Sequence, residues 1–257
     1  MSKHITPDLP VALFDSGAGG IGVLREVKKL LPREQFLYFG DAANAPYGER
    51  TADEIAALVL SHATRLLDSC KALVLACNTA TAVAADTLRR RFPDRIIVGM
   101  EPALRPAVAV APHPRVLVLA TALTLAEAKF AKLLAEYRGQ ADICPVPAPR
   151  LVTFVENGQA SSRECEAYLA ALLAPYLDKR PDAVVLGCTH FPFARVTISR
   201  VVGEGVPLFD GARGTARQLA RRLAAAALLA PTGTVGGLTL TTSDPTQLPL
   251  YRRLLES

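Results

Sequence analysis

Tryptophan is absent from the 257 residues, and phenylalanine and tyrosine together with it make up only 6%. A surface for single-stranded nucleic acid needs a clustered basic stripe with stacking side chains. The net charge of +5 is spread along the chain, and its longest basic run, Arg89, Arg90 and Arg91, reads as a solvated helix end. No nucleic-acid contact is therefore expected. No apolar run approaches the ~18 residues of a membrane span, and no signal peptide opens the chain. The expectation is a cytoplasmic protein that neither crosses nor binds a membrane. Its five cysteines (Cys70, Cys77, Cys144, Cys165, Cys188) are odd in number and widely spread. That spread excludes a disulfide framework and points to a reducing compartment. No C-x-x-C pair supports structural zinc, so no metal is expected. The G-K-[ST] ending of a phosphate loop is missing, as is the G-x-S-x-G elbow of a serine hydrolase. His4, His62 and His113 read as tail, helix-face and loop residues.

What is present centres on two stretches that resemble each other, ALVLACNT at 72–79 and AVVLGCTH at 183–190. Each is a run of small and branched apolar residues, then a small residue, a cysteine and hydrogen-bonding groups. Superposed, they pair Cys77 with Cys188, Asn78 with Thr189 and Thr79 with His190. Around them the pattern alternates. Strands are expected at 10–14, 36–40, 72–76, 96–99, 116–120, within 142–158, 183–187, 206–210 and within 232–243. Helices are expected at 21–31, from 51, at 81–91, 126–137, 162–178, 214–229 and 248–255. Thr51 with Glu54 forms a capping-box signature, and residues 121–124 and the end of 142–158 read as loops. Alternating strands and helices imply an α/β fold with mainly parallel sheets. The repeat divides it into two pseudo-symmetric domains, 1–98 with 208–257 and 99–207, with the active site expected in the cleft between them. In such sheets ligands bind beyond the carboxyl ends of the strands. Asp15, Asp41, Cys77, Thr121, Glu156 and Cys188 all fall at or just after expected strand ends.

A cysteine after an apolar strand is more often a small core residue than a reactive one, and Cys70, Cys144 and Cys165 keep that reading. Cys77 and Cys188 differ because polar residues and then an expected helix follow each. A helix N-terminus offers unpaired N–H groups that favour thiolate. Two matched thiols suit inversion of a stereocentre that bears hydrogen. One removes the proton from one face, the other donates to the opposite face, and the roles exchange with direction. Backbone amides at 16–20, 78–79 and 189–190 would hold a substrate carboxylate and the charge developing on it. Asp15 would assist Cys77, and His190 or Glu156 would assist Cys188.

A competing motif is Gly17, Gly19 and Gly22, a formal G-x-G-x-x-G after a strand. Asp41 stands about 20 residues beyond, where a ribose-binding acid is expected in a nicotinamide enzyme. Asp15 and Ser16 oppose that reading, because they set a carboxylate where pyrophosphate should approach.

FDSGAGGIGVLRE at 14–26, YFGDAANAPYGER at 38–50, ACNTATAVAADTLR at 76–89, GMEPALRPA at 99–107, VENG at 155–158 and VLGCTHFP at 185–192 span nearly the whole chain. In that order they resemble the glutamate racemases of the cofactor-independent aspartate/glutamate racemase superfamily. The resemblance implies two α/β domains, often a homodimer, no pyridoxal phosphate or other cofactor, and D-glutamate supplied to peptidoglycan synthesis. It implies Cys77 and Cys188 as the acid/base pair, serving the D- and L-enantiomers respectively, with Asp15, His190 and Glu156 assisting. Substrate binding falls to Asp15, Ser16, Pro46, Tyr47, Gly48, Asn78, Thr79, Thr121, Thr189 and His190. It also raises a different class of role, binding another protein, since some relatives act on DNA gyrase. Aspartate racemase is the nearest enzymatic alternative. The chain departs from the usual family pattern at Ala42 and Asn44, which replace a hydroxyl and a positive charge, and at Glu127 and Gly211.

Overall fold

The computed structural model describes residues 5–256. The chain opens with β1 (Val11–Asp15), α1 (Ile21–Leu30), β2 (Gln35–Gly40), α2 (Ala52–Leu67), β3 (Ala72–Leu75), α3 (Asn78–Arg91) and β4 (Ile96–Gly99). It continues with α4 (Leu104–Val108), β5 (Arg115–Ala120), α5 (Ala122–Ala126), α6 (Ala128–Glu136), β6 (Asp142–Pro147) and α7 (Arg150–Glu156). Then come α8 (Arg163–Leu173), β7 (Ala183–Leu186), α9 (Arg195–Val202) and β8 (Leu208–Asp210). The last elements are α10 (Ala212–Ala225), β9 (Gly237–Thr242) and α11 (Leu248–Glu256). Two compact units result, one of residues 1–100 with 212–257 and the other of residues 101–211.

The first unit is a five-stranded sheet in the order β4-β3-β1-β2-β9, and every pair is parallel. β1 and β3 are buried along their whole length, as expected of parallel strands covered on both faces. Val11, Leu13, Phe36, Tyr38, Val74 and Val98 turn to one face and join α1, α10 and α11 in a single core. Helix α2 is fixed at its start by a complete capping box: Thr51 accepts from the Glu54 amide, and Glu54 accepts from the Thr51 amide at 2.9 Å. At the amino ends of the strands lies a buried ion pair, Lys71 Nζ to Glu34 Oε2 at 2.6 Å. The other Glu34 oxygen accepts from the Ala230 amide at 2.7 Å, and Lys71 Nζ also donates to the Pro7 carbonyl. One pair thus ties the chain's opening and closing segments to the sheet.

The second unit is a four-stranded parallel sheet in the order β6-β5-β7-β8. Read from the other edge, β8-β7-β5-β6 repeats the order β4-β3-β1-β2 of the first unit. In both, the opening strand has its successor on one side and the third strand on the other. The repeat seen between 72–79 and 183–190 is therefore a repeat of topology, with β7 the counterpart of β3.

Several local expectations are corrected. Helix α3 starts at Asn78, not at 81, because Cys77 itself is its N-cap. Residues 126–137 are not one helix. Glu127 has extended backbone (φ −72°, ψ 143°) and closes α5 while opening α6. The expected loop before Gly158 contains α7, so Glu156 ends a helix and does not follow a strand. Helices α4 and α9 have no counterpart among the expected elements; both are short and follow prolines or 3-10 turns, which obscure helical periodicity. His4 lies outside the described residues.

Lys71→Met leaves the Glu34 carboxylate buried without its cation. We expect a loss of about 3–5 kcal/mol in urea unfolding, with much of it recovered in the double variant Lys71→Met/Glu34→Leu. Equal stabilities for the single variant and wild type would contradict this.

Candidate functional site

The strand ends carry the reactive groups, and the ladder itself sets their height. In the first unit the β1/β3 pairing runs one step past β3, where the Ala76 amide donates to the Phe14 carbonyl at 2.8 Å. Cys77 is the next residue. In the second unit the Gly187 amide donates to the Leu119 carbonyl at 2.7 Å, and Cys188 is the next residue. Each thiol is thus delivered at the same point of equivalent strands. A Cβ on Gly187 would stand 2.9 Å from the Leu119 carbonyl oxygen, which explains the glycine at this step.

Cys77 is 5% exposed. Its sulfur donates to Ser16 Oγ at 3.6 Å and accepts from the Ala80 amide at 3.4 Å. An N–H of the first turn of a 14-residue helix thus points at the sulfur, an arrangement that serves a thiolate. Asp15, fully buried, closes β1 and accepts from the Gly17 amide at 2.9 Å. Tyr38 holds the same turn from the other side, donating from its hydroxyl to the Gly17 carbonyl at 2.7 Å. Burial, then the Asp15 carboxylate, pushes the Tyr38 phenol well above its ordinary value, so it remains a donor. Gly20 allows this crowding, since a Cβ there would meet Asp15 Cβ at 2.7 Å. The turn that resembles a dinucleotide fingerprint is therefore occupied by its own carboxylate.

Asn78 and Thr79, the first residues of α3, are buried. Neither heteroatom of the Asn78 carboxamide has a hydrogen-bond partner. Buried polar groups are nearly always satisfied, so an amide left bare at a strand end is a candidate ligand-binding group. Residues 46–48 lie after β2 in a 3-10 turn with Pro46 at its N-cap, Tyr47 buried and Gly48 half-buried. The Tyr47 hydroxyl donates to Asp41 Oδ2 at 2.7 Å. Burial and this bond drive its phenol far above the ordinary value.

Cys188 is 7% exposed, but the helix N-terminus expected for it is not there. A turn and a 3-10 segment at 191–194 separate it from α9, so it caps no α-helix. Its neighbour is His190, whose Nδ1 lies 3.8 Å from Cys188 Sγ, while Nε2 lies 3.0 Å from Glu156 Oε1. Burial works to lower the His190 pKa, but the Cys188 and Glu156 contacts outweigh it and hold the imidazole well above its usual range. Sulfur, imidazole and carboxylate form a chain in the order Cys188–His190–Glu156. Thr189 is buried beside it, and Thr121 caps α5 after β5, accepting from the Thr124 amide at 3.2 Å. Cys165 is a core residue; burial raises its thiol and that of Cys70.

One connection in this region, that of His62 to Asp41, is invisible in the sequence. Asp41, fully buried, is the hub of a network with Asn44 Nδ2 at 2.9 Å, Tyr47 and His62 Nε2 at 3.3 Å. By sequence His62 is a plain helix-face residue. Its spacing on α2 is compatible with that, and only the tertiary packing shows where it points. Among the described residues no group of three or more His, Cys, Asp or Glu is arranged to hold a metal, and no helix is long and apolar enough to cross a membrane.

Two parallel α/β sheets of one topology, each with a cysteine at its third strand, define a class. The Asp/Glu/Hydantoin racemase family matches residues 21–219. The chain belongs to this family, and its curated relatives, named glutamate racemase at 40–46% identity, make it an amino-acid racemase, an isomerase. Membership removes the nicotinamide reading. A relative is the glutamate racemase of Clostridium novyi (strain NT), 46% identical over 216 residues that cover 84% of this chain and 83% of that protein. The structure of Francisella tularensis glutamate racemase in complex with D-glutamate is similar at a TM-score of 0.86 and 26% identity, over 98% of this chain and 95% of that one. Escherichia coli glutamate racemase, in complex with L-glutamate and the activator UDP-MurNAc-Ala, gives a TM-score of 0.82 at 31% identity, over 96% and 95%.

Because its carboxamide is unpaired in the protein, Asn78→Ala should change unfolding free energy by less than about 1 kcal/mol. It should nonetheless raise KM at least tenfold. A variant destabilised in proportion to its loss of activity would make Asn78 structural.

Proposed function

We propose that the protein interconverts L- and D-glutamate by removing and returning the α-proton through two cysteines, without a cofactor. The observation that carries this reading is the matched delivery of Cys77 and Cys188 at the ends of β3 and β7, each beside a different polar partner. Relatives that share the fold and bind D- or L-glutamate support the choice of substrate.

In the direction from L to D, the Cys188 thiolate takes the α-proton and the Cys77 thiol donates one to the opposite face. From D to L the two exchange roles, with Cys77 as base. Inversion requires this opposition, and identical groups make it reversible. Asp15 and Ser16 orient Cys77, and His190, itself held by Glu156, orients Cys188 and stabilises its thiolate as an adjacent cation. The substrate's carboxylates are bound by donors of Ser16, Asn78, Thr79, Thr121, Thr189 and His190 and by the Pro46–Tyr47–Gly48 turn. Negative charge developing on the α-carboxylate in the transition state is met by preorganised amides. The enzyme acts in the cytoplasm as a homodimer and its D-glutamate enters peptidoglycan synthesis.

Racemisation is tested by loss of optical rotation from L-glutamate in D2O, with mass analysis of the recovered amino acid and no added cofactor. Wild type should incorporate one deuterium at the α-carbon, and Cys77→Ala and Cys188→Ala should each reduce turnover by at least about 10³-fold, the upper part of the range for a lost acid/base. Exchange with L-aspartate alone would keep the mechanism and change the substrate; exchange with neither would reject the reading.

The proton on His190 supplies a pH test. A pKa raised in the folded state adds stability below the unfolded value of about 6.5, and that stability is lost as pH rises through the folded pKa. Glu156→Gln removes one of the groups that raise it. The alkaline limb of kcat/KM is expected to move to lower pH in this variant. An unmoved limb would show that the His190 cation is not the working form.

A further inference from the structure

The Asp41 network is not used by proton transfer, yet it gathers side chains from three segments onto one buried carboxylate. Its backbone amide donates to the Asp15 carbonyl at 2.9 Å, which continues the β1/β2 ladder. Its two side-chain oxygens receive Tyr47, Asn44 and His62. Burial works to raise its pKa, but hydrogen bonds from His62, Tyr47, Asn44 and Ser243 prevail and hold the carboxyl far below the usual range. Three of these donors belong to segments beside β2: Asn44 and Tyr47 to the loop after it, Ser243 to the segment after β9. Ser243 also accepts from the Ala43 amide at 2.9 Å. His62 alone comes from a packed helix, one turn before the end of α2.

The imidazole also packs against aromatic rings. Its centroid lies 4.8 Å from that of Phe39 and 5.9 Å from that of Phe14, with interplanar angles of 38° and 27°. The ring is only 14% exposed. A histidine wedged against two phenylalanines, with one nitrogen aimed at a buried carboxylate, has little freedom to leave it. Rigid elements hold a binding group more accurately than loops do, and His62 connects α2 to a loop whose first residue, Asp41, still continues the ladder while Tyr47 lies beyond it.

We propose that His62 is a positioning residue, which acts through Asp41 to fix the Tyr47 phenol and with it the turn at residues 46–48, whose substrate-binding role, proposed above, this assignment rests on. Removing the imidazole donor releases one bond to a buried carboxylate. Asp41 and Tyr47 then sample other arrangements, and the turn's amides are less often in place when substrate arrives. The consequence falls on binding more than on the proton-transfer step, so KM rises for both enantiomers while kcat changes little.

Three variants separate this from a packing role. His62→Leu keeps an apolar body between the phenylalanines and removes the donor. His62→Asn keeps a donor too short to reach Asp41. His62→Gln restores a donor at nearly the reach of Nε2. Racemisation kinetics with L- and D-glutamate should show KM raised about tenfold in His62→Leu and His62→Asn, as for loss of one bond to a charged group. In His62→Gln it should return to within about threefold of wild type. Hydrogen-exchange mass spectrometry without substrate should show faster exchange confined to residues 41–50 in the first two variants and not in the third. If His62→Leu does not fold, His62→Asn carries the same comparison. Wild-type KM and exchange in the donor-less variants would overturn the proposal, as would accelerated exchange spread evenly through the unit. Should wild type turn over neither enantiomer, the proposed reaction fails, while the exchange pattern still decides whether His62 holds the loop.

Discussion

The hydrogen bond that extends each parallel ladder one residue beyond its third strand governs where both thiols stand. Ala76 to Phe14 and Gly187 to Leu119 are ordinary backbone bonds of 2.8 and 2.7 Å. They matter because a cysteine follows each donor directly. The backbone of that cysteine cannot drift without breaking a ladder whose neighbouring strands are buried on both faces. Reactive groups on a loop are as accurate as the scaffold that holds the loop's first residue. Here that residue is still part of the sheet.

From the same starting point the two cysteines acquire different surroundings. Cys77 enters a long helix at once, and a first-turn amide contacts its sulfur. Cys188 enters a turn and depends on an imidazole two residues on, backed by a carboxylate from α7. Topology repeats, but the chemistry around the sulfur does not. The asymmetry shows that a shared strand order fixes the position of a group without fixing its electrostatics.

Strand positions are largely legible in the sequence, because a short run of branched apolar residues ending at Gly, Asp or Cys has few other readings. The same holds for Cys77 and Cys188, where two runs of one pattern reinforce each other. Boundaries that depend on a cap are less visible. Cysteine is an unusual N-cap, so the start of α3 reads three residues late, and Glu127 hides a break because a glutamate within an alanine-rich stretch reads as continuous helix. Helix α7 is hidden behind Pro145, Pro147 and Pro149, which argue for loop by composition. His62 is unreadable for a different reason. Its partners Asp41, Phe14 and Phe39 come from other elements, and no periodicity along α2 encodes what those elements present. Asp41 does stand out as the acid a nucleotide fold would use, and the structure gives it a different task.

The first unit closes only with residues from the far end of the chain: β9 pairs with β2, α10 packs on α1, and the Glu34 carboxylate binds the Ala230 amide. Residues 101–211 form an uninterrupted unit between those parts. During synthesis, when chains emerge at about 5–20 residues per second, this inserted unit has all its strands several seconds before the first unit has its fifth. The segment bearing Cys77 must therefore wait on the ribosome with its sheet unfinished, while the segment bearing Cys188 can already be folded. The older half of the polypeptide is therefore the later half of the enzyme to be completed, since β9, α10 and α11 close its sheet and core last.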